Sequence, residues 1–109
     1  MATGTIPNNF YGEYPFYVDN NPDITKDVRG LYEVARDTYG TGTWNLVLNI
    51  GVISSSSALY ADIPARPCLI TITQISSSTS KRAVITYQSV NSDIVKHRRI
   101  YDSITSDWF

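Results

Sequence analysis

Cys68-Leu69-Ile70-Thr71-Ile72-Thr73-Gln74-Ile75, Ala83-Val84-Ile85-Thr86-Tyr87-Gln88-Ser89-Val90 and Ile94-Val95-Lys96-His97-Arg98-Arg99-Ile100-Tyr101 are the runs whose reading decides the fold. Each is rich in Val, Ile, Thr or Tyr, side chains that suit a pleated, half-buried surface. The link between the first two, residues 76–82, has no apolar side chain, and Asn91-Ser92-Asp93 joins the second to the third. Links this short favour antiparallel neighbours, because a parallel crossover takes about a dozen residues or more. The runs predict a β-meander. Period-2 counting puts Ile70 and Ile72 on one face, with Ile85 and Tyr87 opposed to Val84, Thr86 and Gln88. In the third run Ile94, Lys96, Arg98 and Ile100 stand against Val95, His97, Arg99 and Tyr101. Neither side is apolar throughout, the pattern of an edge strand or of one lying partly on a solvated surface.

Upstream, Trp44-Asn45-Leu46-Val47-Leu48-Asn49-Ile50-Gly51-Val52-Ile53 reads as a further strand, preceded by a glycine-rich turn over residues 37–43. Leu31-Tyr32-Glu33-Val34-Ala35 also reads as a strand, and residues 22–30 as a brief helical turn ended by Gly30. Residues 59–67 read as a loop held extended by Pro64 and Pro67. With no ten-residue helical period in view, the fold class is all-β, a small antiparallel sandwich-like domain over residues 23–109.

Residues 1–22 differ in kind. Pro7, Pro15 and Pro22 oppose both helix and central strand, yet Phe10, Tyr11, Tyr14, Phe16 and Tyr17 are too apolar for a free tail. The expectation is an extended anchoring arm whose rings are buried against its own domain or a neighbouring subunit.

The 109 residues suffice for one modest core, and a net charge of −1 argues against a general nucleic-acid binder. Five of the nine basic residues, Lys81, Arg82, Lys96, Arg98 and Arg99, nevertheless fall in a short C-terminal span. The single cysteine, Cys68, excludes an internal disulfide and reads as a small buried thiol. Neither a signal-peptide pattern nor an apolar run of membrane-helix length is present, so no membrane insertion is expected. The single histidine, His97, lies among Lys96, Arg98 and Arg99 and not beside a carboxylate, and Asp102 and Asp107 read as turn residues. No catalytic residue, metal ligand or cofactor motif is assigned. For binding, Tyr39, Trp44 and Tyr60 are candidate receptor or glycan contacts, and Tyr101 and Trp108 are further sugar-stacking rings. Core packing is the competing explanation for all of them.

The order of Gly30-Leu31-Tyr32-Glu33-Val34, the Pro64 to Pro67 loop, Leu69-Ile70-Thr71-Ile72, Ala83-Val84-Ile85-Thr86-Tyr87-Gln88, Lys96-His97-Arg98-Arg99-Ile100-Tyr101 and Ser106-Asp107-Trp108 resembles a known family. It is similar to the knob domains near the ends of bacteriophage tail fibres and pyocin fibres, over about residues 24–109. Where that family usually closes on two tryptophans, this chain has Trp108 alone, with Ile104 near the place of the first. The resemblance implies a small β-sandwich in a homotrimeric virion appendage, a fibre, knob or decoration subunit. Its implied partners are other virion structural proteins and a host-surface glycan. Trp108 is then expected to be buried, closing one end of the domain. The rival expectation is a soluble carbohydrate-binding module using exposed aromatic rings.

Overall fold

Pairing of the three runs follows their short links. The computed structural model describes residues 2–6, 16–75 and 79–109. Strands β4 (Cys68–Gln74), β5 (Arg82–Ser89) and β6 (Val95–Tyr101) are antiparallel neighbours in sequence order. Their inward rows are those selected by period 2: Ile70, Ile72, Ile85 and Tyr87 are buried, whereas Leu69, Val84 and Gln88 are exposed.

The sheet extends beyond the meander. Strand β3 (Trp44–Ile50) pairs antiparallel with β4, and β2 (Phe16–Asp19) lies parallel to β3. Strand β1 (Ala2–Ile6) is antiparallel to β2, and β7 (Ile104–Thr105) pairs with β6. Among the described residues the protein is thus mostly β, with a mixed seven-stranded sheet in sequence order. Three expectations are corrected. The sheet is mixed because β2 and β3 are joined through a helix, the crossover that parallel neighbours need. The layer opposite the sheet is helical, so a second sheet facing the first is replaced by helix packing. β6 is not an edge: β7 flanks its end, and beyond it His97 and Phe109 exchange both backbone hydrogen bonds while Ser106 N–H donates to the Arg99 carbonyl.

Within the stretch expected as an arm, Ala2–Ile6 and Phe16–Asp19 pair into this sheet. Phe16 lies opposite Asn45, and Tyr17 lies opposite Leu46 and packs on the core. The expected contacts of Phe10, Tyr11 and Tyr14 lie outside the described residues.

Helix α1 (Val28–Tyr39) replaces the expected turn and the strand expected at residues 31–35. Asp27 caps it, its carboxylate accepting from Gly30 N–H at 2.7 Å. Val28, Leu31, Tyr32 and Ala35 form the i, i+3, i+4, i+7 stripe of an amphipathic helix, and all are buried against the sheet. Gly30 lies inside the first turn and does not end the helix. A Cβ there would stand 3.1 Å from the Lys26 Cβ and 3.3 Å from the capping Asp27 carboxylate. The actual stop is Gly40, whose φ of +92° most side chains avoid.

One polar network closes the helix on the strands. Tyr32 donates to the Gln74 side-chain oxygen at 2.8 Å, and the Gln74 amide donates to the carbonyls of Gly40 and Gly42 at 3.0 and 2.7 Å. The Trp44 indole N–H also donates to Gly40 at 3.0 Å. Buried Gln74 therefore has its amide dipole satisfied at both ends, which removes the cost of placing it in the core. A second helix, α2 (Ala58–Asp62), is capped by Ser57 and seats Leu59 in the core where an extended loop was expected.

Candidate functional site

All the helical packing falls on one side of β3–β6, and this leaves a two-dimensional array of side chains on the other. The register defines its rows. Val18, Val47, Thr71, Thr86, His97 and Phe109 succeed one another across the strands and the tail. A neighbouring row runs Phe16, Asn45, Thr73, Val84 and Arg99, and a third runs Asn49, Leu69, Gln88 and Val95. Every member of the three rows is exposed or half-exposed. Adjacent strands lie about 4.8 Å apart, so the array is a broad surface and not a pocket.

Its chemistry is uneven. Hydroxyls and amides fill the middle, with the Thr73 hydroxyl donating to the Asn45 side-chain oxygen at 2.6 Å. Rings and cations gather toward β6. Tyr101 is 54% exposed and lies under the Arg82 guanidinium at 3.9 Å. Phe109 is 63% exposed, with its ring 6.0 Å from His97 and 5.9 Å from the Arg99 guanidinium. Among the described residues no Asp or Glu stands in the three rows. Arg82 is neutralised by Asp102 at 2.8 Å, whereas Arg99 makes no ion pair among the described residues.

Besides Asp102 on Arg82 and the exposed Asp107 of the tail, carboxylates hold the helical side together. On α1, partial burial tends to raise the Glu33 carboxyl, but hydrogen bonds and charge from Lys81 and Arg29 outweigh it and hold Glu33 below its ordinary value. Asp62, at the end of α2, grips Arg98 through both oxygens at 2.9 Å and accepts from Val28 N–H at 2.9 Å. Trp108 lies 4.3 Å from that guanidinium and donates its indole N–H to the Asp62 carbonyl at 2.7 Å. This cluster ties α1, α2, β6 and the tail together. Trp108, expected to be buried at one end of the domain, is half-buried in this cluster, where its ring packs against the edge of the core. Arg98 is only 7% exposed, and its Nε has no hydrogen-bond partner. The inward position of Arg98 was legible as a period-2 neighbour of Ile100, but its partner Asp62 is 36 residues away and carries no sequence signal.

The ring candidates do not form one platform. Trp44 is fully buried, with Tyr32 and Tyr39 against it, and its ring offers no face to a ligand. Tyr39 is stacked on Tyr17 at 3.8 Å with the rings nearly parallel, and burial first, then Tyr17 and Asp19, raises its phenol above the ordinary value. Tyr60 lies apart from them beneath the Arg66 guanidinium at 3.5 Å. The open face instead brings together Tyr101, His97 and Arg99 with Phe109, whose part in it nothing in the sequence announced.

Reactive chemistry is equally dispersed. Burial pushes the Cys68 thiol up to about 11, against a smaller opposing effect of Arg66, so it is a poor nucleophile. Among the described residues no three His, Cys, Asp or Glu side chains are grouped to hold a metal ion. A cleft of about 380 Å³ between Asn21, Ile24, Asn49 and Val52 has no titratable side chain in its lining. No helix among the described residues is long and apolar enough to cross a membrane. Comparison with known proteins finds no match: no family model, no curated protein and no solved structure aligns with this chain.

Proposed function

We propose that this chain is a virion structural protein, a bacteriophage-type fibre, knob or decoration subunit that assembles as a homotrimer and displays its sheet for contact with a host surface or another virion protein. The observation that carries this reading is the division of labour across the sheet. One face holds the whole helical layer, and the other is a broad, uncovered array of Val, Thr, Asn, aromatic and Arg side chains. A surface of that kind suits recognition by area, not turnover in a pocket. The order of motifs over residues 24–109 supports the same reading, and the role proposed for the protein is attachment and display without catalysis. Phe10, Tyr11 and Tyr14 are the proposed anchoring residues, because burying three rings on a partner would supply several kcal/mol at about 25 cal/mol per Å². Light scattering on the purified chain is the test. A trimer is expected, and joint replacement of Phe10, Tyr11 and Tyr14 by Ser should weaken assembly or attachment while circular dichroism stays unchanged. A monomer at every concentration would reject the reading and favour a soluble binding module.

A further inference from the structure

We infer that the cleft between the ends of β2 and β3 is a binding site for one neutral sugar residue, an inference that goes beyond the display reading above and stands with or without a trimer. Its position is the first reason. β2 and β3 are parallel and joined through α1, and their last paired residues are Asp19 and Leu48. The chain leaves both strands at the same end of the sheet, and the two departing segments wall a cleft of about 380 Å³. Recesses at the carboxyl ends of parallel strands are the usual ligand sites of α/β units, and small-molecule sites span roughly 300–1,000 Å³.

The lining combines hydrocarbon with amides. Ile50 is buried at its floor, Ile24 and Ile53 are half-buried against the core, and Val52 is 97% exposed at the rim. Asn20, Asn21 and Asn49 bring side-chain amides, and that of Asn49 has no hydrogen-bond partner among the described residues. An amide offers donors and an acceptor together, as the hydroxyls of a sugar ring require, while the C–H face of the ring suits the hydrocarbon. No ionised side chain lines the cleft. The nearest in sequence are acids: Asp19 accepts from Asn21 N–H, and Asp23 from the Thr25 N–H and hydroxyl. An anion therefore finds no cation in the lining, and a cation finds no carboxylate. A wholly apolar ligand would strip water from the amides without replacing it. A peptide would gain no strand pairing, because β2 and β3 are already paired on both sides. Gly51 keeps the recess open. Its φ lies outside the left-handed region and a Cβ there would meet nothing within 4 Å, so neither strain nor a clash calls for glycine.

Chemical-shift mapping of the full chain with methyl glucoside, methyl galactoside, methyl mannoside and methyl N-acetylglucosaminide tests the inference. Galacturonate, glucosamine, cyclohexanol and a blocked trialanine peptide are the comparisons. At least one neutral sugar should bind in about the millimolar range, as suits a ligand of about a dozen heavy atoms, and shift the Asn49 side chain and the Gly51 amide. Gly51→Leu fills the recess and should abolish those shifts, with a melting temperature no lower than that of the parent. Asn49→Leu, at an exposed position, should weaken binding about tenfold. Gln88→Leu removes an exposed amide two strands away and should leave binding unchanged. Failure of all four sugars to bind, tighter binding of any comparison compound, shifts confined to other parts of the surface, or normal binding by Gly51→Leu or Asn49→Leu would each overturn it. Light scattering on the same samples separates the two proposals: a trimer without the sugar shifts loses only this inference, and a monomer with them loses only the appendage.

Discussion

The two faces of β3–β6 are built from alternate residues of the same strands, yet they follow different rules. On the helix side Trp44, Leu48, Ile50, Ile70, Ile72, Ile85, Tyr87 and Ile100 are buried against α1 and α2. The polar residues admitted there, Gln74, Ser89 and Arg98, have specific partners, with the Arg98 Nε left over. On the open side Thr71, Thr86, Val84, His97 and Arg99 meet neighbours only along and across strands. A buried face must satisfy volume and nearly all of its polar atoms at once, whereas an open face need only suit the pleat and remain soluble. Residues on the first face therefore answer to packing, and those on the second are available to a partner.

The largest test of that contrast is Trp44→Ala. It should cost about 3–5 kcal/mol in urea denaturation, the range for deleting a large aromatic from a core. It also removes the indole donor to Gly40 and the ring between Tyr32 and Tyr39. A loss below 1 kcal/mol (about a fivefold change in the folded-to-unfolded ratio) would mean that the helix side is no better packed than the open side.

Next in size is Asp62→Ala, expected to cost about 3 kcal/mol, because it strands a buried guanidinium and removes the acceptor for Val28 N–H. Asp62→Leu combined with Arg98→Met should recover much of the loss, since a matched apolar pair avoids burying an unpaired charge. If the double variant is as unstable as the single, the pair contributes something beyond satisfying its own charges.

A smaller effect is expected from Glu33, on the exposed side of α1. Its carboxyl is lowered in the folded protein, so its contribution is fully present above the unfolded-state value and is lost as pH falls through the lower folded-state one. Glu33→Gln should therefore cost well under 1 kcal/mol at neutral pH, as exposed ion pairs do. It should also flatten the decline in melting temperature on acidification below the ordinary value of 4.5. An unchanged acid slope would assign that decline to other carboxylates.

Val84→Thr on the open face should have the least effect, within about 0.5 kcal/mol, since Val84 is exposed and Thr is also β-branched. A loss above 2 kcal/mol would show that something covers this face in solution.

The meander and its inward rows were legible because period 2 is a local property: the alternation of Ile with Thr records which side meets the core. Helix α1 carried an equally local record in Val28, Leu31, Tyr32 and Ala35, but Gly30 read as a stop and Tyr32 with Val34 read as a strand face. A glycine inside a helix costs only about 1 kcal/mol, which tertiary packing readily overrides. Tyr39, Trp44 and Tyr60 were chosen as rings without knowledge of their neighbours, and a ring's availability depends on those neighbours.

By itself, then, the sequence determined the strands of the meander, their antiparallel order and the side each residue takes, because these follow from pleat and link length. Only the tertiary structure decided that a helix, not a second sheet, covers one face, that Arg98 meets Asp62, and that Phe109 joins His97 and Arg99 on the open side. Those outcomes depend on contacts between residues distant in the chain. Their free energy arises from shared burial and charge, which no local pattern of residues encodes.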